Sequence, residues 1–140
     1  MLFRSSNGLY GMWFDSPAGE VTAVVQDSSF KNIATQGLHA GNNAKVTVIN
    51  SLAEGNLDGF SAGTLAKLFI ENCRSIGNTG DGVVVSGSAW VRISNSTIVN
   101  NQGYGVRAYS GGYARSYVNN RIATNSAGST SGNFVVLDQQ

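Results

Sequence analysis

The feature that most constrains this chain is a repeat of roughly 23 residues that runs through almost its whole length. When the sequence is aligned with itself at a shift of about one repeat, asparagine, glycine and apolar residues of segment 91–108 align with residues of the same kind. One column holds Asp27, Asn50, Asn72, Asn95 and Asn119, and another holds Gly8, Gly37, Gly59, Gly82 and Gly105. Such self-similarity is typical of solenoids, in which each coil packs on its neighbours.

The apolar residues of the repeat also form columns, and along the chain they alternate with polar residues as in β-strands. Two of these columns are Ala23, Val46, Leu68 and Val91, and Leu9, Leu38, Phe60, Val83 and Val106. Each repeat therefore holds short strands with one buried face, separated by polar bends. The sequence predicts an all-β fold, a right-handed parallel β-helix of about five coils with a period of roughly 23 residues. We expect one domain over 1–140, with repeat coils at 7–126 and a tail at 127–140 that ends in a strand at 134–137.

The polar columns lie at the bends. Identical amides stacked about 4.8 Å apart can hydrogen-bond to one another along the stack. The asparagine column therefore predicts an amide ladder made of Asp27, Asn50, Asn72, Asn95 and Asn119. The glycine column predicts a bend that needs either positive φ or the absence of a Cβ atom.

Charge and hydropathy exclude several function classes. Nine lysines and arginines against eight aspartates and glutamates give a net charge of +1, and the basic residues are spread over several columns. This distribution argues against a nucleic-acid partner. No apolar run approaches the ~18 residues of a membrane span. The first residues do not resemble a secretory signal, so secreted and cytoplasmic locations both stay open.

Segment 93–106, with its sequence ISNSTIVNNQGYGV, resembles the repeat of right-handed parallel β-helix proteins. That superfamily includes pectate lyases, polygalacturonases and alginate epimerases. Segment 115–125 resembles the last coil of uncharacterised bacterial proteins of this kind. The resemblance implies a fold and suggests a carbohydrate partner, but a shared scaffold does not define a shared site.

In β-helix enzymes the substrate lies along an outward sheet face. The matching column here predicts a shallow groove with aromatic faces for sugar rings and a cation for uronates. We expect its residues to be Tyr10, His39, Tyr104, Arg107 and Tyr109.

Asp58 and Asp81 are the best-paired carboxylates, because each precedes a glycine on consecutive coils and the two should stack about 5 Å apart. Such a pair could hold Ca²⁺, although Asp-Gly is also an ordinary turn dipeptide and calcium prefers about six oxygen ligands. The residues do not supply the full aspartate or calcium cluster of the carbohydrate-active relatives. No catalytic residue is assigned, and apart from Ca²⁺ no cofactor is expected.

Two functions follow from these observations. The favoured one is a non-catalytic structural or binding module. Residues 1–6 supply only part of a coil and no capping helix, so we expect its N-terminal coil end to pair with a second copy in a homo-oligomer. The alternative is a polysaccharide-processing lyase, hydrolase or epimerase that acts on uronate-rich glycans in the outward groove.

Overall fold

The computed structural model describes residues 4–6, 8 and 11–138, and its regular secondary structure consists of eighteen β-strands in three sheets. Sheet 1 contains β1 (Arg4–Ser6), β4 (Ser29–Lys31), β7 (Leu52–Glu54), β10 (Arg74–Ile76), β13 (Thr97–Val99) and β16 (Arg121–Ala123). Sheet 2 contains β2 (Met12–Phe14), β5 (Gln36–Ala40), β8 (Asp58–Ala62), β11 (Val83–Val85), β14 (Tyr104–Ala108) and β17 (Gly128–Gly132). Sheet 3 contains β3 (Val21–Gln26), β6 (Ala44–Ile49), β9 (Lys67–Glu71), β12 (Trp90–Ser94), β15 (Tyr113–Tyr117) and β18 (Phe134–Leu137).

Each strand pairs in parallel with the strand that comes three places later in chain order, and both belong to the same sheet. Val46 lies beside Leu68, and Leu68 lies beside Val91, so each coil stacks its apolar residues on those of the previous coil. The parallel β-helix predicted from the repeat is therefore confirmed, with its period of about 23 residues. In the part of the chain that the structure describes, no helix is long and apolar enough to cross a membrane.

The core is the space enclosed by the three sheets, and inward columns from all of them fill it. Its largest fully buried side chains include Phe30, Leu38, Phe60, Leu68 and Ile98. Burying an aromatic or branched side chain contributes about 1.5–3 kcal/mol, so stacked apolar columns supply the main stabilising term. The side chains that alternate with these columns point outward and are free to carry other chemistry.

A continuous amide ladder runs through the buried bend between sheets 1 and 2. Its members are Asn56, Asn78, Asn101 and Asn125, all of them buried. The Asn78 and Asn101 side-chain amides each donate to the Oδ1 of the next asparagine, at 2.8 Å in both cases. The same oxygens accept the backbone N–H of the previous coil, at 3.0 Å for both Asn78 and Asn101. The ladder satisfies polar groups that would otherwise be buried without partners.

The asparagine column expected to form the ladder lies on the surface instead. Asp27, Asn50, Asn72 and Asn95 are exposed and have φ values of 49° to 52°. Asparagine and aspartate tolerate this left-handed conformation better than most residues, which explains the composition of the column. Asn72 donates to Asn50 Oδ1 at 2.6 Å.

The fifth member of that column, Asn119, is also exposed, and its Oδ1 accepts the backbone N–H of Asn95 at 3.1 Å. The column is therefore an exposed corner with local hydrogen bonds, and its first four members have the αL conformation. The continuous buried ladder belongs to the other asparagine column.

The glycine column lies against that buried ladder. A Cβ atom on Gly82 would come within 2.7 Å of Asn101 Nδ2 and would also overlap Ile98. Gly82 does not have positive φ, so close packing rather than backbone conformation requires glycine there. In the first coil the register places Met12 beside Leu38, so the glycine next to Gly37 is Gly11 and not the expected Gly8.

Candidate functional site

The outward row of sheet 2 carries part of the expected groove. His39 lies between Trp13 and Ser61 in the strand register, and its Nδ1 is 2.6 Å from Ser61 Oγ. Tyr10, expected beside His39, lies outside the described residues, and Trp13 takes the place next to His39. The Trp13 and His39 ring centroids are 4.3 Å apart.

The other expected groove residues lie at the far end of the same sheet. The guanidinium carbon of Arg107 lies 4.8 Å from the centre of the Tyr109 ring, and Arg107 Nη1 is 3.4 Å from Asp81 Oδ2. The backbone N–H of Tyr104 donates to Asp81. Ser61 and Val84 separate His39 from Arg107, which is a distance of three coil steps or about 14 Å. The structure therefore places these residues in two clusters on one face.

The carboxylates of Asp58 and Asp81 are occupied by the backbone of the next coil. Asp58 Oδ1 accepts the N–H of Asp81 at 2.9 Å, and Asp81 Oδ1 accepts the N–H of Tyr104 at 2.6 Å. Gln36 Nε2 lies 3.4 Å from Asp58 Oδ2. Among the described residues, no group of three or more histidine, cysteine, aspartate or glutamate side chains could hold a metal ion. The visible role of the pair is to anchor the bend before sheet 2.

Sheet 3 presents a different outward surface, which we call the aromatic–cationic face. Two adjacent outward columns of its strands carry rings and cations on consecutive coils. The face is defined by Lys45, Lys67, Phe69, Trp90, Arg92, Tyr113 and Arg115. Its four cations outnumber the two carboxylates beside them, Glu20 and Glu71.

The rings and guanidinium groups of this face hold one another in place. Phe69 and Trp90 make an edge contact with ring centroids 5.0 Å apart. The Arg92 guanidinium carbon lies 5.8 Å from the Phe69 centroid and 5.5 Å from the Trp90 centroid. Arg115 lies 5.1 Å from the Tyr113 centroid. Cation–π contacts at these distances restrict the conformations of long side chains.

Two open clefts lie on this face, and Arg92 lines both. One, of about 330 Å³, is bordered by Trp90, Tyr113 and Arg115. The other, of about 380 Å³, is bordered by Lys45, Phe69 and Glu71 among others. Within the described residues, Nε of Arg92 is buried and has no hydrogen-bond partner. The two clefts are therefore neighbours on this face, and the Arg92 side chain borders both.

This face was not predicted from the sequence. The basic residues were expected to be spread over several columns, yet Lys45 and Lys67 stand in one column with Trp90 and Tyr113. The repeat places aromatic and basic residues in two adjacent columns at these outward positions of sheet 3, which is the signal that predicts the face.

The single cysteine is part of the scaffold. Cys73 occupies a buried position that serine holds in neighbouring coils, and its backbone N–H donates to Ser96 Oγ at 3.0 Å. Its Sγ lies 3.1 Å from the Glu71 carbonyl oxygen. Burial raises the pKa of the Cys73 thiol to about 11. The thiol is therefore protonated at neutral pH and has the character of a structural residue.

The comparison with protein families agrees with the architecture. The model of the right-handed β-helix region matches residues 3–133, which is most of the chain. The protein therefore belongs to the right-handed β-helix family. Searches of curated proteins and of solved structures found no significant match. The family defines the scaffold, and the chemistry has to be argued from the faces described above.

Proposed function

We propose that this β-helix is a glycan-binding module and that its aromatic–cationic face binds an acidic polysaccharide. The observation that carries the proposal is the joint placement of Trp90, Arg92, Tyr113 and Arg115 on adjacent coils of one sheet. Aromatic rings pack against the apolar faces of sugar rings, and guanidinium groups pair with carboxylates in a planar, two-pronged geometry.

The spacing of the coils supports a polymeric ligand. Neighbouring strands are about 4.8 Å apart, so Lys45 and Arg115 are separated by roughly 14 Å along the stack. An extended 1,4-linked glycan advances by a similar distance per sugar unit as the protein does per coil. A chain lying parallel to the stack could therefore meet a ring or a cation at each sugar.

The pre-ordered side chains support specific binding to this face. Arg92 packs near both Phe69 and Trp90, so less conformational entropy is lost when it pairs with a carboxylate. Lys67 contributes less, because Glu20 lies 3.4 Å from its Nζ and both side chains are almost half exposed. We therefore assign the main glycan contacts to Arg92 and Arg115 and to the rings of Trp90 and Tyr113.

The test is calorimetric titration with polygalacturonate, alginate and a neutral 1,4-linked glucan of the same length. The expected result is binding to the acidic chains that weakens as salt rises, with weaker or no binding to the neutral chain. Failure of both acidic chains to bind at low salt would overturn the proposal. Products released in the same mixtures would instead favour the polysaccharide-processing alternative.

A second role, self-association through the coil ends, has one supporting observation. Val136 pairs in register with the inward Ser116, yet it is 57% exposed in the last described coil. Half of the residues expected to make the N-terminal contact lie outside the described part of the chain. Light scattering at increasing protein concentration tests the proposal, which predicts a mass above that of one chain. A constant monomer mass would remove it.

A further inference from the structure

The outward row of sheet 2 contains a second site that the glycan-binding proposal does not use. Ser61 Oγ and His39 Nδ1 are 2.6 Å apart on neighbouring coils. Ser61 is 4% exposed, and in the strand register it lies between His39 and Val84. A serine nucleophile and its general base are arranged in this way, with the hydroxyl within hydrogen-bond distance of an imidazole nitrogen.

Asp15 extends this pair on the other side of the imidazole. A Cβ atom on Gly41 would lie 2.8 Å from Asp15 Oδ1 and 3.1 Å from His39 Nε2. Both groups therefore border the same small space, which the missing side chain of Gly41 keeps open. The carboxylate is placed to stabilise positive charge on the ring when Nδ1 takes up a proton.

The electrostatics of His39 suit a general base. Burial lowers the pKa of His39, and the Asp15 carboxylate opposes this effect in part. The imidazole is therefore neutral at pH 7 and able to accept a proton, while the protonated form has a counter-charge nearby.

Space for a substrate lies beside the ring. A Cβ atom on Gly63 would be 3.4 Å from His39 Cε1 and 3.9 Å from Ser86 Oγ, which are ordinary contact distances. A group of methyl size thus fits there without displacing the protein. This space adjoins the imidazole whose Nδ1 lies 2.6 Å from Ser61 Oγ, so a small group can approach the pair from this side.

We propose that Ser61 and His39 form a catalytic pair that hydrolyses short-chain carboxylic esters, with Asp15 as a positioning residue. Ser61 Oγ attacks the ester carbonyl carbon while His39 Nδ1 removes the hydroxyl proton, and that proton passes to the leaving alcohol as the C–O bond breaks. Water, deprotonated by His39, then attacks the acyl-serine and releases the carboxylic acid, with the proton returning to Ser61. The site lies on sheet 2 and does not depend on glycan binding by sheet 3.

The primary test is covalent labelling of the full chain with a fluorophosphonate, located by mass spectrometry. The expected result is one adduct on Ser61 that is lost in Ser61→Ala and reduced at least about tenfold in His39→Gln. Ser131→Ala is the matched control, because Ser131 stands in the same outward row beside Arg107, and this variant should label like the wild type. Circular dichroism of each variant separates loss of labelling from loss of fold.

A second readout tests turnover and the role of Asp15. With p-nitrophenyl acetate, the wild type should release p-nitrophenol faster than Ser61→Ala. Asp15→Asn should move the midpoint of the pH–rate profile to lower pH, because the Asp15 charge raises the pKa of His39. Absence of labelling at Ser61, labelling unaffected by His39→Gln, or equal hydrolysis by the wild type and Ser61→Ala would overturn the proposal.

Discussion

The outward faces of sheets 2 and 3 share one backbone geometry but use their side chains in different ways. On sheet 2 the polar groups are engaged locally, as Asp81 shows by accepting a backbone N–H and contacting Arg107. On sheet 3 the two arginines pack against rings, and Arg92 has no carboxylate within ion-pair distance among the described residues. A β-helix can thus carry a proposed catalytic pair on one face and a proposed recognition surface on another, because the inward columns supply most of the packing that maintains the fold.

The largest expected effect comes from disturbing the scaffold that both faces share. Asn101→Asp leaves the shape of the side chain but removes two buried donors, and it should lower the free energy of unfolding by about 3 kcal/mol. The matched variant Asn95→Asp should change it by less than about 0.5 kcal/mol, because this corner is exposed and Asp27 already occupies the same column. Urea unfolding measures both, and equal losses would contradict the distinction between the two asparagine columns.

The next effect separates the two faces. Trp90→Ala should weaken binding of acidic oligosaccharide about tenfold, since it removes a sugar platform and one of the rings that orders Arg92. Labelling of Ser61 should stay unchanged, because Trp90 belongs to another sheet. Calorimetry and mass spectrometry on the same preparation provide the two readouts. A parallel fall in both would show that the faces are not independent.

A smaller effect tests the geometry of the cation. Arg92→Lys keeps the charge but loses the planar group that stacks on Phe69 and Trp90, so affinity for the acidic glycan should fall about three- to fivefold. Lys45→Arg is a suitable counterpart and should leave affinity the same or slightly higher. If Arg92→Lys bound as tightly as the wild type, charge alone would account for recognition.

The smallest effect concerns pH. Burial lowers the pKa of His39 from its ordinary value of about 6.5, so the base is neutral above that lowered value and becomes protonated below it. The midpoint of the labelling rate against pH should therefore lie below 6.5. A midpoint above 6.5 in the labelling rate would contradict this account of the imidazole.

The inward half of the fold was predictable because identical requirements recur in every coil. Leu68 and Val91 are both apolar because they pack on one another in neighbouring strands, and the repeat in the sequence follows from such contacts. The sequence could not show which of the two asparagine columns forms the buried ladder. Asparagine occurs at one bend because it tolerates positive φ, and at the other because its amide makes buried hydrogen bonds.

The register of the first coil and the chemistry of the outward faces were harder to predict from the sequence, for two reasons. The three-residue offset that replaces Gly8 with Gly11 arises where bends vary in length, which column matching does not detect. Outward residues such as Trp90 and Arg92 have no repeated packing requirement. Their shared chemistry becomes visible only when strands from separate coils are placed side by side.

The most direct test compares two matched double variants in calorimetric titrations with oligogalacturonate. Each of the two faces contains an arginine beside an aromatic ring, Trp90 with Arg92 on sheet 3 and Tyr109 with Arg107 on sheet 2. We predict that Trp90→Ala/Arg92→Gln loses at least about 30-fold in affinity, whereas Arg107→Gln/Tyr109→Ala stays within about twofold of the wild type. The reverse pattern would place binding in the groove on sheet 2 and contradict the aromatic–cationic face as the glycan site.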